Sequence, residues 1–225
     1  MIRNLTGKCG SYESVFFDLD GTITDSAQGC VNGITYMFER IGRLEPDEMK
    51  LRAFVGPPVK KHLIREYGMS EQEAAHAYVF FREYYDEKGV YENRLYDGAA
   101  QMLNAVKRSG KTLYIATTKP MPLAVRVLEM FGLTGFFSDV FTAVHENGIY
   151  EKYEVLGAAV TKLGSIPRAV MVGDRRYDVA GGKHVGFDTV GVLYGYGSED
   201  ELIGAGCDFT ADSPYDLALF LGEEK

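Results

Sequence analysis

Cysteine is scarce in this chain of 225 residues. Cys9, Cys30 and Cys207 are odd in number and widely spaced, with no C-x-x-C pair. That excludes a disulfide framework and a clustered thiolate zinc site, and it leads us to expect reduced thiols and a cytoplasmic setting. A basic excess is missing as well: 24 Lys and Arg stand against 32 Asp and Glu, for a net charge of −8. Without a concentrated basic face, neither a nucleic acid polymer nor an anionic membrane is an expected partner. No apolar run approaches membrane-spanning length. The opening residues, MIRNLTGKCGSYES, lack the apolar stretch of a secretory signal. Internal repeats, low-complexity tracts and long linkers are absent. The four histidines, His62, His76, His145 and His184, are scattered and form no ligand pattern.

What is present is ordinary for a soluble globular protein: 46% hydrophobic and 25% charged residues. Such a chain can bury one substantial core with a modest insert. Five short apolar runs end in polar or small residues: VFFDLD (15–20), TLYIATT (112–118), DVFTAV (139–144), RAVMVGD (168–174) and DTVGVLY (188–194). Continuous apolar character predicts strands buried on both faces, as in a parallel sheet. Helical patterns lie between the later runs. One carries Ala99, Leu103 and Val106 on one face, with Asp97 as the expected N-cap. Another carries Leu123, Val127 and Met130. Residues 152–163 and 177–185 are two more. This alternation argues for a doubly wound α/β sheet.

Residues from about 26 to 94 break the rhythm. Cys30, Ile34, Met37 and Ile41 form a helical stripe, and 71–88 is a long helical candidate with Tyr78, Phe80, Phe81, Tyr84 and Tyr85. The Pro-Pro turn before VKKHLIREYG opens a third. The segment reads as an all-helical insert after the first strand.

Ligands of open α/β sheets bind at the carboxyl ends of the strands. Asp18 and Asp20 follow the first run there. Thr117, Thr118 and Lys119 follow the second, and Gly173, Asp174 and Asp178 the fourth, while Lys152 lies between the third and fourth. Clustered carboxylates repel one another unless a cation sits among them, and oxygen-only ligands suit Mg²⁺. A bound Mg²⁺ holds a phosphate, with Lys and Thr donors on its other oxygens. An acidic protein then handles an anionic substrate locally. One aspartate is left to attack phosphorus and the other to manage protons. Each element has a plain alternative, such as a turn, a helix cap or a solvated lysine. By average residue usage DxDGT arises by chance in roughly one chain in a few hundred of this size. The signal is the joint set, in order.

On these motifs the chain resembles haloacid dehalogenase-type phosphatases. DLDGT (Asp18 to Thr22) is similar to that family's first motif and Thr117, closing LYIAT, to the second. Lys152 is similar to the third, with Lys162 as a rival, and GDRRYD (Gly173 to Asp178) to the fourth. The resemblance implies a doubly wound, Rossmann-like parallel sheet core, residues 1–25 and 95–225. It further implies a small helical cap domain, residues 26–94, inserted after the first strand. It also implies a mechanism. Asp18 attacks the phosphoryl group and forms an aspartyl-phosphate. Asp20, protonated at the start, gives its proton to the leaving oxygen and later takes one from water. Thr117 and Lys152 neutralise phosphoryl oxygens, with Thr118 and Gly21 beside the substrate. Mg²⁺ is held by Asp18, the backbone carbonyl of Asp20 and Asp174, with Asp178 supporting the metal through water or Lys152.

The second aspartate favours phosphate chemistry over dehalogenation. The expected partner is a small-molecule phosphate ester, and the expected state a monomer or homodimer. In the insert, Arg52, Lys60 and Lys61 are candidates for reading a second anionic group, and Gly56 with Pro57 for a rigid turn. Lys60 and Lys61 read equally as a solvated helix face. The aromatic band reads as a nucleobase platform or as insert core. GVLYGYGSEDELIGAG resembles the branch holding phosphoglycolate phosphatases and nucleoside 5′-monophosphatases. Phosphoglycolate-like acids come first and nucleoside 5′-monophosphates (a 5′-nucleotidase) second. A β-phosphoglucomutase-like phosphomutase shares every catalytic residue. A phosphate-responsive binding module and a D-x-D nucleotide-sugar transferase account for less of the set.

Overall fold

The computed structural model describes residues 1–8, 10–44, 47–56, 58–144, 151–164, 166 and 168–222. Cys9, Pro57 and His145, named above, lie outside them. Strands β1 (Ile2–Asn4), β2 (Ser14–Phe17) and β3 (Thr24–Asp25) come first. Helices α1 (Ala27–Arg40), α2 (Glu48–Arg52), α3 (Val59–Tyr67) and α4 (Glu71–Glu87) precede β4 (Arg94–Leu95). Then come α5 (Ala99–Arg108), β5 (Thr112–Thr117), α6 (Met121–Met130), β6 (Asp139–Thr142) and α7 (Lys152–Leu163). β7 (Ala169–Gly173), α8 (Arg176–His184), β8 (Asp188–Val192), α9 (Glu199–Gly204), β9 (Phe209–Ala211) and α10 (Pro214–Gly222) complete the chain. Two compact units result: Met1–Thr24 with Leu95–Lys225, and Asp25–Arg94.

The first unit carries a seven-stranded sheet of order β1-β9-β8-β7-β2-β5-β6. β2 runs parallel to both neighbours, Phe16 lying opposite Tyr114 on β5 and Met171 on β7. All four β2 residues are buried, which is why the run shows no polar alternation. The chain leaves β2 for β5 and β6 on one side, then returns for β7, β8 and β9 on the other. That reversal is the switch point of a doubly wound sheet, where the strands' carboxyl ends leave a crevice. One sheet face closes on Phe16, Ala116, Met171 and Phe187 with Val155, Leu156 and Ala159 of α7. Phe16 stacks on Tyr114 at 4.7 Å.

β2 stops at Phe17, and Asp18 and Asp20 stand in the turn beyond it. Two details differ from the sequence reading. Helix α5 begins at Ala99 with Gly98 as its cap, at φ +84°, so Asp97 is displaced from the capping position. β1 and β9 were not anticipated. Each is three residues long, and β1 extends the sheet by pairing antiparallel with β9.

The second unit is built on α1 and α4. Ser70 caps α4 reciprocally with Glu73, a capping box. Cys30, Ile34 and Met37 of the expected stripe are buried, while Ile41 is the C-cap of α1. Phe81 and Tyr85 are buried and their rings stack 5.3 Å apart. At least this part of the aromatic band is core, the plainer of its two readings. Lys60 lies over the Tyr78 ring at 5.4 Å. Cys30 is a buried thiol outside any disulfide here, as is Cys207 in the first unit.

Two predictions concern this unit. A Cβ on Gly29 would stand 2.0 Å from the Gly89 carbonyl oxygen, a backbone atom that cannot swing aside. Gly29→Ala should therefore lose about 1–3 kcal/mol in urea unfolding, the range for overpacking. Gly135→Ala, whose added carbon meets nothing within 4 Å, is the control. His62 is buried beside Phe54, ring centroids 4.3 Å apart, and its Nδ1 has no partner. Burial lowers its pKa from the ordinary 6.5. The unfolded chain thus binds the proton more readily, so stability is full above that value and falls as pH drops below it. Melting temperatures across that window should lose the His62 share of this slope in His62→Leu.

Candidate active site

The strand ends of the first unit gather the charged residues. Asp18 follows β2 directly, and its backbone N–H still donates to the Val172 carbonyl of β7 at 2.9 Å. The chain then turns sharply, with Leu19 O accepting from the backbone N–H groups of Ile23 and Thr24 at 2.9 and 3.0 Å. Gly21 takes φ +87°, and a Cβ there would meet Asp174 Oδ2 at 2.3 Å. Both the left-handed backbone and the close approach require glycine.

Lys152, the first residue of α7, is buried with its side chain only 3% exposed. Its Nζ lies 2.8 Å from Asp18 Oδ1 and 2.7 Å from Asp178 Oδ1, and it donates to the Ala116 carbonyl of β5 at 2.7 Å. Burial works against the ammonium charge, but Asp178 and Asp18 more than offset it and hold the Lys152 pKa above the ordinary lysine value. Lys162 is elsewhere: it is exposed and paired with Asp139 at 2.6 Å. Of the two lysines, Lys152 is the one beside these carboxylates.

Asp174 is fully buried at the end of β7. Its Oδ2 accepts from the Tyr196 backbone N–H at 2.8 Å, while Oδ1 is buried without a partner. Burial, then Asp178, then Asp18 push its carboxyl well above the usual carboxylate range. Burial likewise pushes Asp18 up to about 6, against the pull of Lys152 and with added repulsion from Asp178. Asp178 Oδ2 accepts from the Arg175 N–H at 3.0 Å at the start of α8. Asp18, Asp174 and Asp178 each offer an oxygen, and these atoms all lie within 4.8 Å of one another. Three carboxylates thus cluster, two of them paired with one ammonium, and Asp174 keeps an orphaned buried oxygen. This donor set fits a hard divalent cation.

Thr117 closes β5 and is buried. Its Oγ1 accepts from the Lys119 N–H at 3.2 Å, and Thr118 between them is exposed. Asp20 is not in the carboxylate cluster. It holds Lys119 instead, Nζ donating to both of its oxygens at 3.0 and 2.9 Å. Arg175 and Arg176 both bind Glu201 of α9. In the second unit, Arg52 is exposed and tied to Glu48 one turn back at 3.0 Å; Gly56 is exposed at φ +102°.

The sequence placed Lys119 at a strand end without a task of its own, and marked the Tyr194–Gly197 loop only as part of a branch resemblance. That loop wraps Asp174 closely: a Cβ on Gly195 would meet Asp174 Cβ at 2.3 Å. Tyr194 donates its hydroxyl to the Thr22 carbonyl at 3.0 Å. Burial first, then Asp174 and Tyr96, keep that phenol above its ordinary pKa. The doublet of glycines around Tyr196 was the available signal.

A family model described as haloacid dehalogenase-like hydrolase matches residues 15–192. A 5′-nucleotidase of Pseudomonas aeruginosa is 35% identical over 192 residues, 85% of this chain and 87% of that protein. Tyrosine-protein kinase PtkA of Mycobacterium tuberculosis is 39% identical over 191 residues, 84% of this chain and 65% of that protein. Among solved structures, a predicted phosphatase from Clostridium acetobutylicum superposes with a TM-score of 0.87 at 35% identity, covering 92% of this chain and 97% of that one.

Because an ionised Asp174 is unfavourable in the fold, metal-free stability should fall as pH rises above the ordinary carboxylate range. Asp174→Asn should therefore raise the metal-free melting temperature at neutral pH. A gain of about 1 kcal/mol corresponds to roughly 2–4 °C in a chain of this size. Added Mg²⁺ should stabilise the wild type and leave the variant nearly unmoved. Equal Mg²⁺ shifts in both would remove Asp174 from the metal site.

Proposed function

The chain belongs to the haloacid dehalogenase-like hydrolase family, and from that premise we propose that it is a Mg²⁺-dependent phosphatase of small phosphate monoesters working through an aspartyl-phosphate. The observation that carries this reading is the Asp18–Lys152–Asp178 ion-pair chain beside the buried Asp174. Asp18 Oδ bonds to phosphorus as the ester oxygen leaves with its electron pair. Asp20 gives that oxygen a proton. Water then attacks the same phosphorus and gives a proton to Asp20, while the bond to Asp18 breaks and the carboxylate is restored. Thr117 and Lys152 donate to phosphoryl oxygens, with Thr118 and Gly21 beside them. Held by Asp18, the Asp20 carbonyl and Asp174, with Asp178 alongside, Mg²⁺ would neutralise phosphoryl charge.

Likeness to a 5′-nucleotidase supports nucleoside 5′-monophosphates as one substrate arm. The earlier resemblance supports phosphoglycolate-like acids as the other. Residues 26–94, within the unit Asp25–Arg94, are the proposed cap, with Arg52 and Gly56 as candidate specificity residues. Likeness to a tyrosine-protein kinase adds one contrasting reading, in which a tyrosine hydroxyl takes the phosphoryl group in place of water.

Phosphate release from nucleoside 5′-monophosphates, phosphoglycolate and hexose phosphates, with and without Mg²⁺, tests the reading. Release should require Mg²⁺. Asp18→Asn should fall below detection, and Asp20→Asn should lose about 10²–10⁴-fold, the usual size of a general acid–base contribution. The fastest ester identifies the substrate class. Label passing from ATP to tyrosine, with no free phosphate from any ester, would favour the kinase reading.

A further inference from the structure

Lys119 is the second buried cation of the first unit's strand-end site, and nothing above gives it a task. Its side chain is 5% exposed, against 26% for its partner Asp20. Taking an ammonium out of water is costly unless a close partner compensates. Here the partner is complete: both Asp20 oxygens lie at hydrogen-bond distance, 3.0 and 2.9 Å. Two contacts from one point fix where the carboxylate sits and the direction it faces.

The backbone holds Lys119 in turn. Its N–H is tied to Thr117 Oγ1, and the next residue, Pro120, caps α6 with φ −58°. Thr117 and Lys119 therefore belong to one rigid turn at the exit of β5. The Thr24 hydroxyl reaches Asp20 Oδ1 at 3.5 Å.

We propose that Lys119 is a positioning residue for Asp20, acting chiefly in the hydrolysis of the aspartyl-phosphate. This rests on the phosphatase reading above. In that step water bonds to phosphorus, the Asp18 oxygen–phosphorus bond breaks, and the water proton passes to the Asp20 carboxylate. An ammonium attracts a carboxylate strongly and a neutral carboxylic acid weakly. Its orienting effect therefore falls on the half-reaction that begins with Asp20 charged. Formation of the aspartyl-phosphate begins with Asp20 carrying its proton and depends on Lys119 less.

The test uses the Mg²⁺-loaded enzyme and 2,4-dinitrophenyl phosphate, whose leaving group needs no proton. Stopped-flow release of dinitrophenolate is followed for wild type, Lys119→Met, Lys119→Arg, Asp20→Asn and the Lys119→Met/Asp20→Asn double variant. Lys119→Met should lower kcat about tenfold or more and show a burst approaching one dinitrophenolate per site, because the phosphoenzyme accumulates. Lys119→Arg should recover part of the rate, which also separates the effect from misfolding. In the Asp20→Asn background, adding Lys119→Met should change the rate less than about twofold, since the two residues act as one unit. Wild-type turnover that Lys119→Met leaves unchanged overturns the inference alone. So does a slower variant without a burst, or an equal loss in the Asp20→Asn background. Absence of any wild-type turnover removes the phosphatase reading and this inference with it.

Discussion

One buried ammonium sets the terms for the first unit's site. Lys152 Nζ reaches Asp18, Asp178 and the Ala116 carbonyl, each within 2.8 Å. It thereby links the end of β2, the end of β5 and the first turn of α8. Removing that charge would leave Asp18 and Asp178 facing Asp174 with no compensation, and unpaired buried charge is among the costliest defects a fold can carry. Even with it, Asp18 and Asp174 sit above the usual carboxylate range. The protein tolerates that cost at a place where a divalent cation would relieve it. Perturbed carboxylates gathered at strand ends are a mark of functional sites.

The sheet order explains how groups so distant in sequence meet. Asp18, Thr117 and Asp174 close three adjacent parallel strands, β2, β5 and β7, whose registers align residue by residue. Lys152 enters from the helix that precedes β7. The glycine-bearing loop after β8 closes against Asp174 through the Tyr196 N–H. The carboxylates are thus positioned by strands buried on both faces, the least deformable part of the unit.

Much of this was legible in the sequence because it follows from local chemistry. A carboxylate at the end of an all-apolar strand is conspicuous, which exposed Asp18, Asp20 and Asp174. What stayed hidden was either too short or too distant. β1 and β9 are three residues each and offer no period to read. The α5 cap went to Gly98, because its positive φ fits the turn more easily than the nearby Asp97. The Lys119–Asp20 pair spans 99 positions, and no local pattern announces it. The sequence already put Lys152 first, with Lys162 as the weaker rival. Burial of one and exposure of the other separates them.

The central claim is that Asp18 bonds to phosphorus. The most direct measurement is acid quenching of the enzyme during turnover, followed by mass spectrometry of the peptide carrying Asp18 and Asp20. A phosphoryl adduct on Asp18 is expected, acid-stable and lost at alkaline pH as an acyl phosphate is. A phosphoryl group on another residue would contradict it. So would turnover at full rate with no adduct at any quench time in wild type or in the Lys119→Met variant.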